Sequence, residues 1–299
     1  MQVTKRTIPP NTNESRYDLS TTRADYPDWN AEKPLRTFVL CSHTRSGSTL
    51  LSEAMHQAGG MGCPVEYFHF GFQPTLENMW GADGLDSYIR AIYKHRTDPS
   101  GSLGIKIFWM DVLDLCVARY PEEKEAINTE LEDRPEVADR VYGLVRNIFA
   151  DIFPNPQYIF LTRRDRLRHA ISSLISGQVR IYRDISGATK PAPAGEPTYD
   201  YDAILNRIRY YAYCDARWNE FFESAGIKPH RVTYEELAVD YTTTVKNMLV
   251  AMDNWHSEDQ LRAPRLRRQA SRLSEEFAWR FLEEHSRRTS ENESETASK

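Results

Sequence analysis

The stretch Phe38-Val39-Leu40-Cys41-Ser42-His43-Thr44-Arg45-Ser46-Gly47-Ser48-Thr49-Leu50-Leu51 decides how this chain folds. An apolar run rich in strand formers ends in a loop that holds one arginine, one glycine and several hydroxyls, and an apolar-periodic segment comes directly after it. The pattern predicts a strand over about 37–42 and a helix from Ser48 to Gln57, ended by Gly59-Gly60. It is the opening of a βα unit. The first amides of a helix lack intrahelical partners and sit at the positive end of its dipole, so the loop is suited to an anion. Gly47 lets the backbone approach, Arg45 supplies fixed charge, and Ser46, Ser48 and Thr49 supply hydroxyls. The same residues would also serve as an ordinary cap and turn between strand and helix.

Outward from this loop, further strands are expected at Leu103–Trp109, Gln157–Thr162 and Arg231–Tyr234. Helices are expected at Leu85–His95, over most of Val112–Ile152, from Arg166 through Leu174, and at Tyr201–Ala225, Thr242–Met252 and Leu273–Glu284. Gly71–Gly84 reads as loop. The Gln157 strand runs straight into Arg163-Arg164-Asp165-Arg166, a second strand-to-helix junction rich in arginine. Two such junctions imply an α/β fold with a central, mainly parallel sheet flanked by helices and a site along its C-terminal edge.

Lys106 interrupts an apolar strand. It either lies on a wet face with its stem covered, or points into the anion site. The basic run Arg262–Arg272, which contains Arg268 and Gln269, is either a solvated face or a phosphate clamp. Residues 183–200 are rich in Gly and Pro and long enough to be a lid.

With 299 residues and 40% hydrophobic content, the chain can form one large core, taken here as a single domain over 35–285. Residues 1–34 read as a polar arm anchored by Tyr17, Tyr26 and Trp29, and 286–299 as a disordered tail. A net charge of −5 argues against a nucleic-acid binder that relies on a basic field. The four scattered cysteines suggest neither a zinc site nor a disulfide framework. No apolar run approaches the roughly 20 residues that span a bilayer, so a cytoplasmic, non-integral protein is expected.

The loop is not a Walker A motif. Ser42 stands where the first glycine would be and Ser48 where the lysine would be. No strand-end aspartate suggests itself for magnesium, which disfavours an ATP-dependent small-molecule kinase and favours a metal-free donor. A non-catalytic nucleotide-binding scaffold is the alternative from another class.

Arg45-Ser46-Gly47-Ser48-Thr49-Leu50-Leu51, then Pro64-x-Glu66-Tyr67-Phe68, Gly104-x-Lys106-x-x-Trp109, Thr162-Arg163-Arg164-Asp165 with Ala170 and Ser172, and finally Arg268-Gln269-Ala270 occur in an order that resembles the bacterial trehalose 2-sulfotransferase family. The resemblance spans about residues 37–285. It implies a P-loop-like sulfotransferase fold and 3′-phosphoadenosine 5′-phosphosulfate (PAPS) as donor, released as 3′-phosphoadenosine 5′-phosphate (PAP), with no metal. By the same resemblance the 5′-phosphosulfate rests on Arg45 to Thr49, and the 3′-phosphate on Ser172 with Arg163 or Arg164, the doubled arginine leaving the alignment open by one residue. The Arg268–Gln269 block would close over the nucleotide, and Glu66 would be the general base, with Lys106 and Arg45 balancing charge. His69 is a reserve base on chemical grounds. The family also implies a sugar-like acceptor and a homodimer; Trp80, Tyr88 and Trp109 are candidates for stacking on a sugar or for core packing. His43, Cys63 and Met110 depart from the family's usual residues, which leaves the acceptor open.

Overall fold

The computed structural model describes residues 18–26, 29–129, 135–186, 192–267 and 271–297. Four parallel strands form its sheet: β1 (Arg36–Ser42), β2 (Ser102–Phe108), β3 (Pro156–Thr162) and β4 (His230–Thr233), in the order β2-β1-β3-β4. The chain leaves β1 for β2 on one side and returns to β3 on the other. The order therefore reverses at β1, and open α/β sheets bind ligands beyond the C-terminal ends of strands at such a reversal.

The helices are α1 (Ser48–Ala58), α2 (Gln73–Trp80), α3 (Leu85–Arg96), α4 (Trp109–Arg119), α5 (Lys124–Thr129), α6 (Pro135–Ile152), α7 (Arg166–Val179), α8 (Tyr201–Ser224), α9 (Tyr234–Val239), α10 (Tyr241–Ala251) and α11 (Arg272–Ala297). Three of them depart from the sequence reading. α9 was not expected, and it opens on Tyr234, which was expected to close the last strand. α2 occupies the segment expected to be loop: Pro74 sits in its first turn, where a missing N–H costs nothing, and Gly81 ends it in a left-handed conformation. α11 continues past Glu284 to Ala297, into the stretch expected to be a disordered tail.

Within the span expected to be one domain, two compact units are recognisable. The first comprises the residues through Thr162 together with Cys214–Pro264, and so contains the whole sheet. Period-two alternation divides its core. Phe38 and Leu40 of β1 pack with Leu51 and Met55 of α1, Ile159 and Leu161 of β3, and Met248 and Leu249 of α10. Around α4, α6 and the C-terminal half of α8 lies an aromatic cluster in which Trp109 meets Trp218 edge-on with ring centroids 5.1 Å apart. The second unit comprises Arg163–Tyr213 and the residues from Arg265 onward; Ile171 and Leu174 of α7, Ile204 of α8, and Phe277 and Phe281 of α11 form its core. In the segment read as a possible lid, Ile185 forms an antiparallel bridge with Leu266.

The described part of the arm, residues 18–26 and 29–34, is part of the first unit. Arg96 of α3 is fully buried, and it donates to the carbonyls of Leu19 (2.5 Å) and Thr21 (3.0 Å) while its Nε lies 3.1 Å from Asp25. Tyr26 reaches the carbonyl of Gly62. Tyr17 lies outside the described residues.

Candidate active site

The β1–α1 loop is shaped from within. Arg45 (φ 63°) and Gly47 (φ 89°) are both left-handed, which is uncommon for a residue with a side chain, and Ser46 between them is buried. The Ser46 hydroxyl donates to the His43 carbonyl at 2.7 Å, and the Ser48 hydroxyl reaches the same oxygen at 3.5 Å. Both are spent on the turn, so Ser46 shapes the loop more than it offers a donor. A Cβ on Gly47 would stand 2.8 Å from the Tyr234 ring, so glycine is needed here for conformation and for space. Tyr234 opens α9 beyond β4. Sequence reasoning passed over it because nothing local links residue 234 to residue 47.

A hook from Met61 to Phe68 carries Glu66 to β2. The Lys106 N–H donates to the Val65 carbonyl at 3.1 Å, and Val65 pairs with Ile105 in a parallel bridge. This approach works only because β2 has no side chain at Gly104, where a Cβ would stand 2.4 Å from the Met61 carbonyl and 2.6 Å from Pro64. Pro64 thus rests on Gly104 while Glu66 meets Lys106 two residues on. The Pro-x-Glu and Gly-x-Lys spacings interlock.

Lys106 Nζ lies 2.8 Å from Glu66 Oε1 and makes longer contacts with Thr49 Oγ1 (3.5 Å) and Ser52 Oγ (3.4 Å) of α1. It is buried, as is Glu66. Of the two readings open for Lys106, the wet face is excluded: an ammonium at this depth persists because a carboxylate meets it. Glu66, Lys106 and the first turn of α1 form one connected group.

Next to this group, Asp111 of α4 accepts from the Phe108 N–H at 3.2 Å. Burial, reinforced by the charges of Asp114 and Glu66, pushes its carboxyl well above the usual range. His69 is half-buried, and its Nδ1 accepts from the Gly71 N–H. Trp109 and Tyr88 are fully buried, and Trp80 stacks on His95 while its indole N–H reaches Asp25. Trp109 and Tyr88 pack the interior, whereas Trp80 is half-buried.

In the second unit, Arg163 (half-buried) and Arg164 (exposed) follow β3 directly, and Ser172 sits in the second turn of α7. Asp165 caps α7 by accepting from the Arg168 N–H at 2.9 Å, and Arg168 also meets Glu275 of α11 at 2.6 Å. Arg268 and Gln269 lie outside the described residues. Among the described residues, no group of three or more His, Cys, Asp or Glu side chains could hold a metal, and no helix is long and apolar enough to cross a membrane.

Trehalose 2-sulfotransferase of Mycolicibacterium smegmatis is 26% identical over 266 residues, 84% of this chain and 96% of that protein. Trehalose 2-sulfotransferase of Mycobacterium tuberculosis is 24% identical over 276 residues, with the same coverage. Among solved structures, the sulfotransferase domain from the curacin biosynthetic pathway matches 82% of this chain and 83% of that one at 15% identity and a TM-score of 0.38, a likeness too slight to argue from. The family model described as Stf0 sulphotransferase matches residues 37–115 and 125–284, which include the β1–α1 loop, the hook, the lysine strand and the arginine junction, and the chain belongs to that family of sulfotransferases.

Proposed function

We propose that this sulfotransferase moves a sulfuryl group from PAPS to a hydroxyl of a carbohydrate or other small polar acceptor, with Glu66 as general base. The observation that carries the reading is the buried Glu66–Lys106 pair in contact with the first turn of α1, whose preceding loop bears Arg45 and two left-handed residues. Such a loop aims backbone N–H groups outward and suits an anion in the way helix N-termini do.

In this reading the 5′-phosphosulfate rests on the Arg45–Thr49 loop, held by Arg45 and the amides from Gly47 to Thr49, while the Ser46 N–H and hydroxyl turn to the His43 carbonyl. The 3′-phosphate is held by Arg163 or Arg164 with Ser172, and Arg268 and Gln269 add contacts. PAPS supplies the activated sulfuryl group and leaves as PAP. As the acceptor oxygen bonds to sulfur, Glu66 takes its proton; the bond from sulfur to the phosphate oxygen breaks, and its electron pair stays with PAP. Positioning and charge stabilisation matter more than base strength in a loose transfer of this kind. Lys106, touching both the base and Thr49, fixes the base relative to the loop, and Arg45 balances charge on the leaving oxygen. The names of the two mycobacterial relatives support a sugar acceptor, and the family resemblance supports a homodimer.

Calorimetry with PAP, with and without magnesium, tests the donor. Binding that ignores magnesium is expected, and absence of binding in both conditions sinks the reading. A screen of labelled PAPS against sugars, glycolipids and small alcohols then identifies the acceptor.

A further inference from the structure

His43 has no role in the reaction as drawn, yet it is fastened at both ends. Its carbonyl is the pivot of the donor loop, receiving the Ser46 N–H (3.4 Å), the Ser46 hydroxyl (2.7 Å) and the Ser48 hydroxyl (3.5 Å). Its ring is 2% exposed, and Nε2 lies 2.5 Å from Oδ1 of Asp215, itself 5% exposed. Asp215 is on the part of α8 that belongs to the first unit, and Trp218, one turn further along, packs against Trp109 just past β2. This part of α8 thus backs the C-terminal ends of β1 and β2 together: one contact is apolar, and the other is a hydrogen bond aimed at the loop.

An anion loop works when its N–H groups already point at the ligand, so that binding does not have to order them. Here the turn includes a left-handed arginine, a conformation a free chain would leave. Something outside the turn must hold it. We infer that His43, tied to Asp215, is a positioning residue that holds the β1–α1 loop in its donor-binding shape. The inference rests on the reading of this loop as the PAPS site and goes beyond it by assigning the restraint to two residues that need not touch the nucleotide.

The test measures PAP affinity by calorimetry and the unfolding midpoint by calorimetric scanning, for the wild type, His43→Leu, His43→Gln and the near-isosteric Asp215→Asn. Binding is measured well below each midpoint. His43→Leu and Asp215→Asn are expected to weaken PAP about tenfold or more, the scale of one lost charge-assisted bond. In His43→Gln the amide nitrogen can replace Nε2, and most of the affinity should return. A merely structural pair would lower the midpoint and leave affinity in the folded protein unchanged, and that result overturns the inference. If the wild type binds PAP and all variants bind it equally, only this inference fails; if the wild type does not bind, the donor reading fails and takes the inference with it.

Discussion

Two ion pairs of similar chemistry occupy contrasting surroundings. Lys106 and Glu66 meet at 2.8 Å with side chains 0% and 6% exposed, whereas Arg168 and Glu275 meet at 2.6 Å with side chains 44% and 48% exposed. The first lies in the sheet-bearing unit and the second in the helical unit. Distance alone would rank them as equals. Burial separates them, because water screens the exposed pair and absorbs either charge if its partner is lost, while a buried charge has only its partner. If Glu66 is the base, as proposed, stability and chemistry in the first unit depend on the same atoms. In the second they can be separated.

The largest expected effect breaks the buried pair. Glu66→Gln should cut single-turnover sulfuryl transfer by about a hundredfold or more, the scale of general base catalysis, and cost about 3–5 kcal/mol in urea unfolding because Lys106 loses its counter-charge. Adding Lys106→Met should recover much of that stability without recovering the rate. A fully active Glu66→Gln enzyme removes Glu66 from the mechanism. PAP affinity should hardly change in this variant.

Arg163→Ala should show the opposite profile, weakening PAP by about 1.5–3 kcal/mol with little change in unfolding. Unchanged affinity would move the role to Arg164. Smaller still, Arg168→Ala removes exposed pairs with Asp165 and Glu275 and should cost no more than about 1 kcal/mol; a loss as large as that of Glu66→Gln would destroy the contrast between the pairs.

The smallest effect depends on pH. Burial alone would raise the Asp165 carboxyl, but the Arg168 N–H and guanidinium outweigh it and hold the carboxyl below the usual range. A carboxyl depressed on folding stabilises fully above its unfolded value of about 4, and that stabilisation is lost as pH falls through the folded value. Asp165→Asn keeps a capping oxygen and removes only the charge. Its deficit, a few tenths of a kcal/mol up to about 1, should be constant near neutrality and vanish in acid titrations. A deficit that persists in acid would assign the cap's worth to geometry alone.

Much of the first unit was legible in the sequence because apolar runs that end in glycine, hydroxyl and arginine residues specify both a strand and the turn that leads out of it. Lys106 announced itself as an anomaly, a charge inside an apolar strand. Its partner could not be read locally, since Glu66 reaches it only through the Val65–Ile105 bridge and the bare backbone at Gly104; Glu66 entered as a candidate base through family resemblance. α2 was missed because Gly71, Pro74, Gly81 and Gly84 punctuate its neighbourhood, although a proline in the first turn is compatible with helix. Asp215 was hidden for another reason. It falls between Cys214 and Trp218 on a helix whose apolar stripe drew the reading, and no periodicity reveals that one carboxylate beside that stripe faces a histidine 172 residues earlier in the chain.

Arg96 sets an order of events during synthesis. The arm residues that it holds, Leu19, Thr21 and Asp25, leave the ribosome first, but their partner emerges as many as 77 residues later. At about 5–20 residues per second the arm waits several seconds for that partner. Once α3 emerges the arm becomes the counter-charge and carbonyl shell of a guanidinium whose other neighbours are the Cys63 sulfur and the rings of Tyr67 and Trp80. Trimming the chain at the start of β1 would therefore leave that guanidinium to be accommodated by a fold that had evolved around it.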